Sequence, residues 1–187
     1  MRCVTCARRS HGDRVDPFAS LSHALSAAGV RYLVIGVWGA NYYAPSGSAM
    51  FTTLDRDLFL PPDPDNLLEA WRVCEAKGFR LFSGTEPLDE PHDGVLARSV
   101  VDRRAFTRAS DGAGTDVDLS LVMSGFDFGE VWPARRTFEV EGAAIPVARL
   151  SHIVESKARA GREKDRLFLA TQRETLEHLL SEEESGS

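Results

Sequence analysis

TLDRDLFL (residues 53–60) is the stretch that decides the fold class and the chemistry of this 187-residue chain. Its apolar residues predict a largely buried strand that ends before Pro61-Pro62. Because side chains alternate along a strand, Asp55 and Asp57 are expected to project from the same face. Two neighbouring carboxylates on a buried strand repel each other and are costly to desolvate unless a cation binds them. The pattern is consistent with a divalent-metal site, but solvated acids on a surface strand would give the same pattern.

A second acidic strand strengthens the metal interpretation. TDVDLSL (115–121) alternates, so that its apolar residues share one face while Asp116 and Asp118 share the other. A third carboxylate on a neighbouring strand would complete a two-metal site for phosphoryl or nucleotidyl transfer. Hard oxygen ligands of this kind suit Mg²⁺, which binds one or two carboxylates together with substrate phosphates.

A glycine turn and a basic segment accompany the two acidic strands. Gly36-Val37-Trp38-Gly39 follows a buried strand and opens a helix, so its backbone N–H groups could face phosphate oxygens. Any other strand-to-helix turn would look the same. Residues 157–166 carry five basic and two acidic side chains, which indicates either a phosphate-binding helix or a solvated helix face.

The remaining pattern predicts an α+β (mixed α/β) domain in which a mixed sheet is flanked by helices and followed by C-terminal helices. Strands are expected at 31–36, 53–60 and 79–82, two β segments around a turn at 111–114 within 96–122, and a hairpin over 136–147. Helices are expected from Asp16-Pro17, from Asp65-Asn66, over 151–161 and over 163–180. The chain divides into a flexible basic tail (1–15), a core (16–148), C-terminal helices (149–180) and a solvated acidic tail (181–187).

Composition restricts the classes of function. The 22 basic and 28 acidic residues give a net charge of −6, which argues against general binding to a phosphate backbone. No apolar run reaches the length that spans a bilayer, and the first residues lack the apolar core of a signal peptide. The chain is therefore expected to be cytoplasmic and not to bind a membrane. Its three cysteines, an odd number, fit a reducing compartment better than a disulfide framework. Cys3 and Cys6 form an isolated C-x-x-C without a second ligand pair.

Five segments, taken in order, resemble the nucleotidyltransferase fold of the DNA polymerase β superfamily. They are most similar to its minimal bacterial members, the AbiEii-like and DUF6036-like nucleotidyltransferases of toxin–antitoxin and phage-defence loci. The resemblance extends over residues 18–170. The segments are IGVWGA (35–40), TLDRDLFL (53–60), PDNL (64–67), VDLSLVMSGFDF (117–128) and LSHIVESKARAGREKD (150–165).

The resemblance implies a set of metal ligands. Asp55 and Asp57 match the first two ligands, and Asp118 matches the third. Asp116 is the alternative to Asp118, which is preferred because Val117 and Leu119 flank it. The implied ion is Mg²⁺, with Mn²⁺ as the alternative.

The resemblance also implies nucleotide-binding residues. Gly36, Val37 and Gly39 match the phosphate turn, and Lys157 and Lys164 are matched as partners of the triphosphate. Val37 departs from the family pattern, in which Gly or Ser follows the first glycine.

The implied activity is Mg²⁺-dependent transfer of an NMP from an NTP to an acceptor hydroxyl. The implied acceptors are an RNA or tRNA end, a protein or a small molecule, and a toxin-like member would have a cognate antitoxin. The alternative is a catalytically degenerate member that serves as a regulatory or antitoxin-like binding module.

Overall fold

A computed structural model of the protein describes residues 17–45 and 51–185, which form an eight-stranded mixed sheet with helices around it. The strands are β1 (Leu33–Ile35), β2 (Arg56–Phe59), β3 (Arg80–Ser83), β4 (Glu86–Pro87), β5 (Thr107–Ser110), β6 (Asp116–Ser120), β7 (Arg136–Val140) and β8 (Ala143–Val147). The helices are α1 (Pro17–Ala27), α2 (Gly36–Asn41), α3 (Pro64–Ala76), α4 (Gly94–Asp102), α5 (Phe128–Val131), α6 (Leu150–Ala160), α7 (Glu163–Thr171) and α8 (Arg173–Ser185). The predicted mixed α/β class is confirmed.

The strand order is β4-β3-β5-β6-β2-β1-β8-β7, which puts the two acidic strands side by side at the centre. β2 runs parallel to β6 and antiparallel to β1. One face of the sheet packs against α3, since the buried Trp71 donates its indole N–H to Thr107 Oγ1 of β5 at 2.9 Å. Val117 and Leu119 are fully buried on that same face. The acidic side chains of β6 therefore project from the opposite face.

Two of the predicted elements differ from the structure, and both differences concern helices. The helix predicted from Asp65-Asn66 begins instead at Pro64, because Asp63 is the N-cap and its carboxylate accepts the N–H of Asp65 at 3.0 Å. Residues 96–102, predicted as a β segment, lie in α4, where Ala97 and Val100 are buried at a helical spacing of three. The hairpins of β5 with β6 and of β7 with β8 form as predicted.

The C-terminal region differs from the prediction in two ways. The single helix predicted over 163–180 is divided at Gln172 into α7 and α8. The acidic tail predicted from residue 181 is wrong for residues 181–185, which form the last turns of α8. Glu183 is 3% exposed, and its carboxylate accepts the N–H groups of Leu150 at 3.1 Å and Ser151 at 3.2 Å. Glu183 thus caps α6, whose own N-cap residue gives no side-chain bond.

Replacing Glu183 by Ala is expected to lower the free energy of unfolding by about 1–3 kcal/mol, since the buried N–H groups at the start of α6 lose their acceptor. The measurement is urea denaturation followed by far-UV circular dichroism. Glu184→Ala, at the exposed neighbouring position, is the matched control and should leave the midpoint unchanged. Equal midpoints for the two variants would contradict the capping role.

Some predictions concern residues that lie outside the described ranges: the tail 1–15 with its Cys3–Cys6 pair, the cap at Asp16, and residues 186–187. Cys74, by contrast, lies within the described ranges. It is fully buried in α3, where burial raises the pKa of its thiol to about 12. Among the helices of residues 17–45 and 51–185, none combines the length and apolarity needed to cross a bilayer.

Candidate functional site

Two of the predicted carboxylates lie side by side on the open face of the sheet. Asp57 of β2 and Asp118 of β6 are direct cross-strand partners, as are Asp57 and Ile35 of β1. We call these cross-strand partners the carboxylate row. Asp55 precedes β2 by one residue and is exposed, so it lies beside the carboxylate row rather than within it. Asp116 pairs with Ser110 of β5 but has no partner in β2, because the pairing of β2 with β6 begins at Val117. The topology therefore brings Asp118, and not Asp116, next to Asp57.

The Asp57 carboxylate lies in a partly buried environment in which negative charge predominates. Burial raises its pKa to about 6, with further contributions from the negative charges of Asp118 and Asp55, while Lys157 and Lys164 act in the opposite direction. Its carboxylate receives no hydrogen bond from the residues that the structure describes. A cation at this position would relieve both the desolvation and the repulsion.

The Asp57 carboxylate occupies the space that a side chain at position 36 would fill. The φ of Gly36 is +69°, and a Cβ added there would overlap Asp57 Oδ2, so both the conformation and the space require glycine. Gly39 has a different role, because a Cβ there would lie 3.0 Å from Ile153 Cδ1 and 3.1 Å from the Val34 carbonyl oxygen. Its missing side chain allows α2 to pack closely against β1 and α6. Val37 lies between the two glycines in α2 and lines a cavity beside Asp55 and Asp57.

A basic cluster lies across from the carboxylates. Lys157 of α6 donates to Asp165 Oδ1 at 2.9 Å, and Arg162 donates to Asp165 Oδ2 at 2.6 Å. Asp165 is 1% exposed, and the Lys157 ammonium also lies 5.3 Å from the Phe168 ring centre. Lys157 and Arg162 are thus the cationic partners of Asp165, and its sequence neighbour Lys164 is not. Lys164 makes no ion pair with the described residues.

Two cavities, of about 360 and 230 Å³, meet at the acidic and basic clusters. Asp57, Lys157 and Arg162 line both of them. The larger cavity extends towards Ser120 and Ser156, which sequence reasoning did not select. The smaller one includes Asp55 and Lys164, together with Val37. Carboxylates on one wall and cations on the other give a charge distribution that suits a metal-bound polyphosphate.

Arg108 of β5 is the main contact that sequence reasoning missed. It faces Asp118 across the β5–β6 pair, and its Nε and Nη2 donate to the two carboxylate oxygens at 2.6 and 3.0 Å. The hydrogen bond to Asp118 raises the pKa of the guanidinium, which remains charged. The contact follows from the hairpin register, since a five-residue loop over 111–115 sets Arg108 opposite Asp118. Only the exact length of this loop would have indicated the contact in advance.

The fit of these residues to a metal ion is best at Asp57. Within the described residues, no three His, Cys, Asp or Glu side chains are gathered closely enough to hold an ion among them. Asp55 and Asp57 nevertheless offer hard oxygen donors to one cavity, and the charges of Lys157 and Lys164 do not offset the burial of Asp57 and its acidic neighbours. Asp118 already holds a cationic group, the Arg108 guanidinium. Asp55 and Asp57 are therefore the residues that would hold a divalent ion in this cavity.

The aromatic residues beside the glycine turn pack within the protein. Trp38 lies edge-on to Phe18 and carries the Arg56 guanidinium 4.5 Å from its ring centre. Tyr42 and Tyr43 pack against Phe138. The rings of Trp38, Tyr42 and Tyr43 are thus used in packing between α2 and its neighbours.

Three solved structures are similar to the chain at low sequence identity. The solution structure of the antibiotic-resistance factor ANT(2″)-Ia is 17% identical, with a TM-score of 0.47 over 90% of this chain and 91% of that chain. ANT(2″)-Ia in complex with adenylyl-2″-tobramycin is 16% identical, with a TM-score of 0.45 over 91% and 98%. An antigenic nucleotidyltransferase-like protein from Paracoccidioides brasiliensis is 18% identical, with a TM-score of 0.48 over 81% and 70%. No family model matches the chain, and a search of curated proteins finds no match.

Proposed function

We propose that the protein is a Mg²⁺-dependent nucleotidyltransferase that moves an NMP from an NTP to an acceptor hydroxyl. The proposal rests on one observation, a cavity lined by carboxylates on one side and by cations on the other. Asp55 and Asp57 lie on one side, and Lys157, Arg162 and Lys164 lie on the other. The similarity of the sequence motifs to minimal nucleotidyltransferases supports the same activity.

Each group has a role in the proposed reaction. The acceptor oxygen attacks the α-phosphorus, a new P–O bond forms, and the bond to the bridging oxygen of the β-phosphate breaks, releasing pyrophosphate. Asp118 accepts the hydroxyl proton. Lys157 and Arg162 neutralise charge on the phosphates and hold them in place. The ion held by Asp55 and Asp57 would supply Lewis-acid stabilisation of phosphate charge, with Mn²⁺ as a substitute.

Acceptor and biological setting are the finer parts of the proposal. The acceptors implied by the resemblance are an RNA or tRNA end, a protein, or a small molecule. ANT(2″)-Ia, in its complex with adenylyl-2″-tobramycin, illustrates the small-molecule case. The motif resemblance implies a toxin–antitoxin or phage-defence role with a cognate antitoxin, and the sequence composition adds the expectation of a cytoplasmic location.

The second candidate is a degenerate binding module, and the Arg108 contact favours it. A guanidinium that already bonds both oxygens of Asp118 leaves that carboxylate less available to an ion. In this alternative the protein keeps the fold and binds a partner without catalysis. Val37, which departs from the family turn, points in the same direction.

Thermal unfolding with each of the four NTPs, with and without Mg²⁺, separates the two candidates. A ligand that binds the folded state and not the unfolded chain raises the melting temperature, and the rise grows with the logarithm of the ligand concentration above the dissociation constant. We expect a Mg²⁺-dependent rise with at least one NTP, and we expect Asp57→Asn to lose it. Asp89→Asn, an exposed acid in the loop before α4, is the control and should keep the rise.

Absence of any shift with all four NTPs would overturn the transferase proposal in favour of the binding module. A shift of equal size in Asp57→Asn would remove Asp57 from the ligand set. Incubation of the protein with α-³²P-labelled NTP and candidate acceptors then measures transfer directly.

A further inference from the structure

The two acids of the carboxylate row differ in whether a cation already contacts them. Arg108 of β5 donates from Nε and Nη2 to the two oxygens of Asp118, at 2.6 and 3.0 Å. The Asp57 carboxylate receives neither a hydrogen bond nor an ion pair from the residues that the structure describes. A further positive charge therefore gains more at Asp57 than at Asp118.

The pairing of β5 with β6 fixes the position of the Arg108 guanidinium. Arg108 lies directly opposite Asp118, and the strand pairing continues on both sides of it. The side chains of Arg108 and Asp118 are 34% and 20% exposed, so water and salt screen their attraction less than at an open surface. The negative charges of Asp55 and Asp116 act on the same guanidinium. Arg108 is thus a fixed cation in acidic surroundings of the kind that attract a metal ion.

A divalent ion at Asp118 would compete with this guanidinium. Both carboxylate oxygens already accept a charge-assisted hydrogen bond, and a Mg²⁺ ion about 2.1 Å from either oxygen would meet the positive charge of Arg108. The ions of a two-metal site lie roughly 3.5–4 Å apart, and each needs its own ligands. Within residues 17–45 and 51–185, no three acidic, histidine or cysteine side chains are close enough to hold an ion together. The surroundings of Asp118 therefore fit one cation, the guanidinium.

We propose that Arg108 takes the place of a second divalent ion at Asp118; this inference rests on the transferase activity proposed above. The protein then works with one ion, which Asp55 and Asp57 hold. Like an ion, Arg108 supplies positive charge at neutral pH, since a guanidinium does not lose its proton in proteins. Unlike an ion, it is not removed by a chelator. The contact that favours a degenerate module is therefore also compatible with catalysis.

Arg108 acts on the proposed reaction through Asp118. Its two bonds use one lone pair of each carboxylate oxygen, and the other lone pairs remain for the acceptor hydroxyl. Asp118 accepts the hydroxyl proton as the new P–O bond forms and the bond to the pyrophosphate leaving group breaks. Because the contact through two bonds fixes the orientation of the carboxylate, Arg108 is a positioning residue for the proton acceptor.

Titration with Mn²⁺, followed by the electron paramagnetic resonance signal of the free ion, counts the ions that the protein binds. We expect one ion per chain for the native protein and none for Asp57→Asn. Arg108→Gln removes the fixed charge and should bind two ions, because Asp118 becomes available to the second. Addition of Asp118→Asn to Arg108→Gln should return the count to one.

Two further arginine variants are the controls. Arg108→Lys keeps a positive charge beside Asp118 and should bind one ion. Arg80→Gln removes an exposed arginine of β3, whose guanidinium lies 5.7 Å from the centre of the Phe82 ring, and should also bind one ion.

Thermal unfolding provides a second measurement on the same variants. A cooperative transition in EDTA shows that each variant is folded before it is titrated. Added Mn²⁺ should raise the melting temperature of Arg108→Gln further than that of the native protein, since two ions bind its folded state instead of one.

The outcomes separate this inference from the transferase proposal. Two ions on the native protein, or a single ion on Arg108→Gln, would overturn the role of Arg108 and leave the transferase proposal in place. The expected counts without any NTP-dependent thermal shift would support the role of Arg108 as the fixed cation and count against the transferase. Absence of bound Mn²⁺ would overturn the inference together with the metal site on which it rests.

Discussion

Replacement of Asp57 by Asn is expected to abolish the proposed nucleotidyl transfer and, at the same time, to stabilise the metal-free protein. The buried carboxylate faces Asp118 and Asp55, and its pKa is raised to about 6 by burial and by these two charges. A raised pKa means that the ionised group opposes folding at neutral pH. The neutral amide removes this cost, which is on the order of 1–3 kcal/mol. Urea denaturation with EDTA measures the gain.

The pH dependence of this gain provides a check on its cause. Below about pH 4 the carboxyl is protonated in both the folded and the unfolded chain, so the two proteins should be equally stable. The difference should grow as the pH rises from about 4 to about 6 and then stay constant. Asp89→Asn should show no such difference. A destabilised Asp57→Asn would mean that Asp57 holds the fold together rather than a ligand.

Replacement of Asp165 by Ala is expected to have the largest effect on stability, a loss of about 3–5 kcal/mol, because the buried Lys157 loses its counter-charge. Lys157 has a side chain that is 12% exposed, whereas that of Arg162 is 60% exposed. Arg162→Gln should therefore cost much less than Asp165→Ala. Comparison of the two urea midpoints tests this order, and a larger loss for Arg162→Gln would contradict it.

The Asp165 contacts also determine the response to acid. Burial disfavours the charged form of Asp165, but hydrogen bonds and charges from Arg162 and Lys157 outweigh it, so the pKa is lowered. The stabilisation is then complete above about pH 4 and is lost as the pH falls through the lowered pKa. The native protein should lose stability in this acid range, and Asp165→Ala should lose less.

Alternation in the sequence was enough to predict the two acidic strands, but the neighbour relation between them came from topology. Asp57 and Asp118 are 61 positions apart in the sequence, and only the parallel pairing of β2 with β6 makes them partners. Single-strand periodicity contains no information on which strands pair. The preference for Asp118 over Asp116 agrees with this register.

Whether Arg108 contacts Asp118 depends on whether the loop between β5 and β6 has four or five residues. The predicted four-residue turn over 111–114 would have set Thr107 opposite Asp118. In the structure Asp111 accepts the N–H groups of Ala113 and Thr115, the loop has five residues, and Arg108 takes that place. A shift of one residue reverses the face of every side chain, so this contact could not be predicted from alternation.

The cation pairs depend on the angle between two helices. Lys157 and Asp165 belong to α6 and α7, which are separated at Gly161, where φ is +60°. Helical spacing predicts contacts three or four residues apart within one helix, and this pair is eight apart. The basic segment was recognisable in the sequence, but the pairing of Lys157 with Asp165 was not.

The cross-strand row divides its residues between the centre of the sheet and its outer part. Asp57 and Asp118 belong to β2 and β6 at the centre, while Arg108 belongs to β5, one strand further out. An insertion of one residue in the loop over 111–115 would turn Arg108 to the other face and leave the pairing of β2 with β6 unchanged. The cation beside Asp118 can therefore be gained or lost by a change in loop length alone, with no substitution among the central carboxylates.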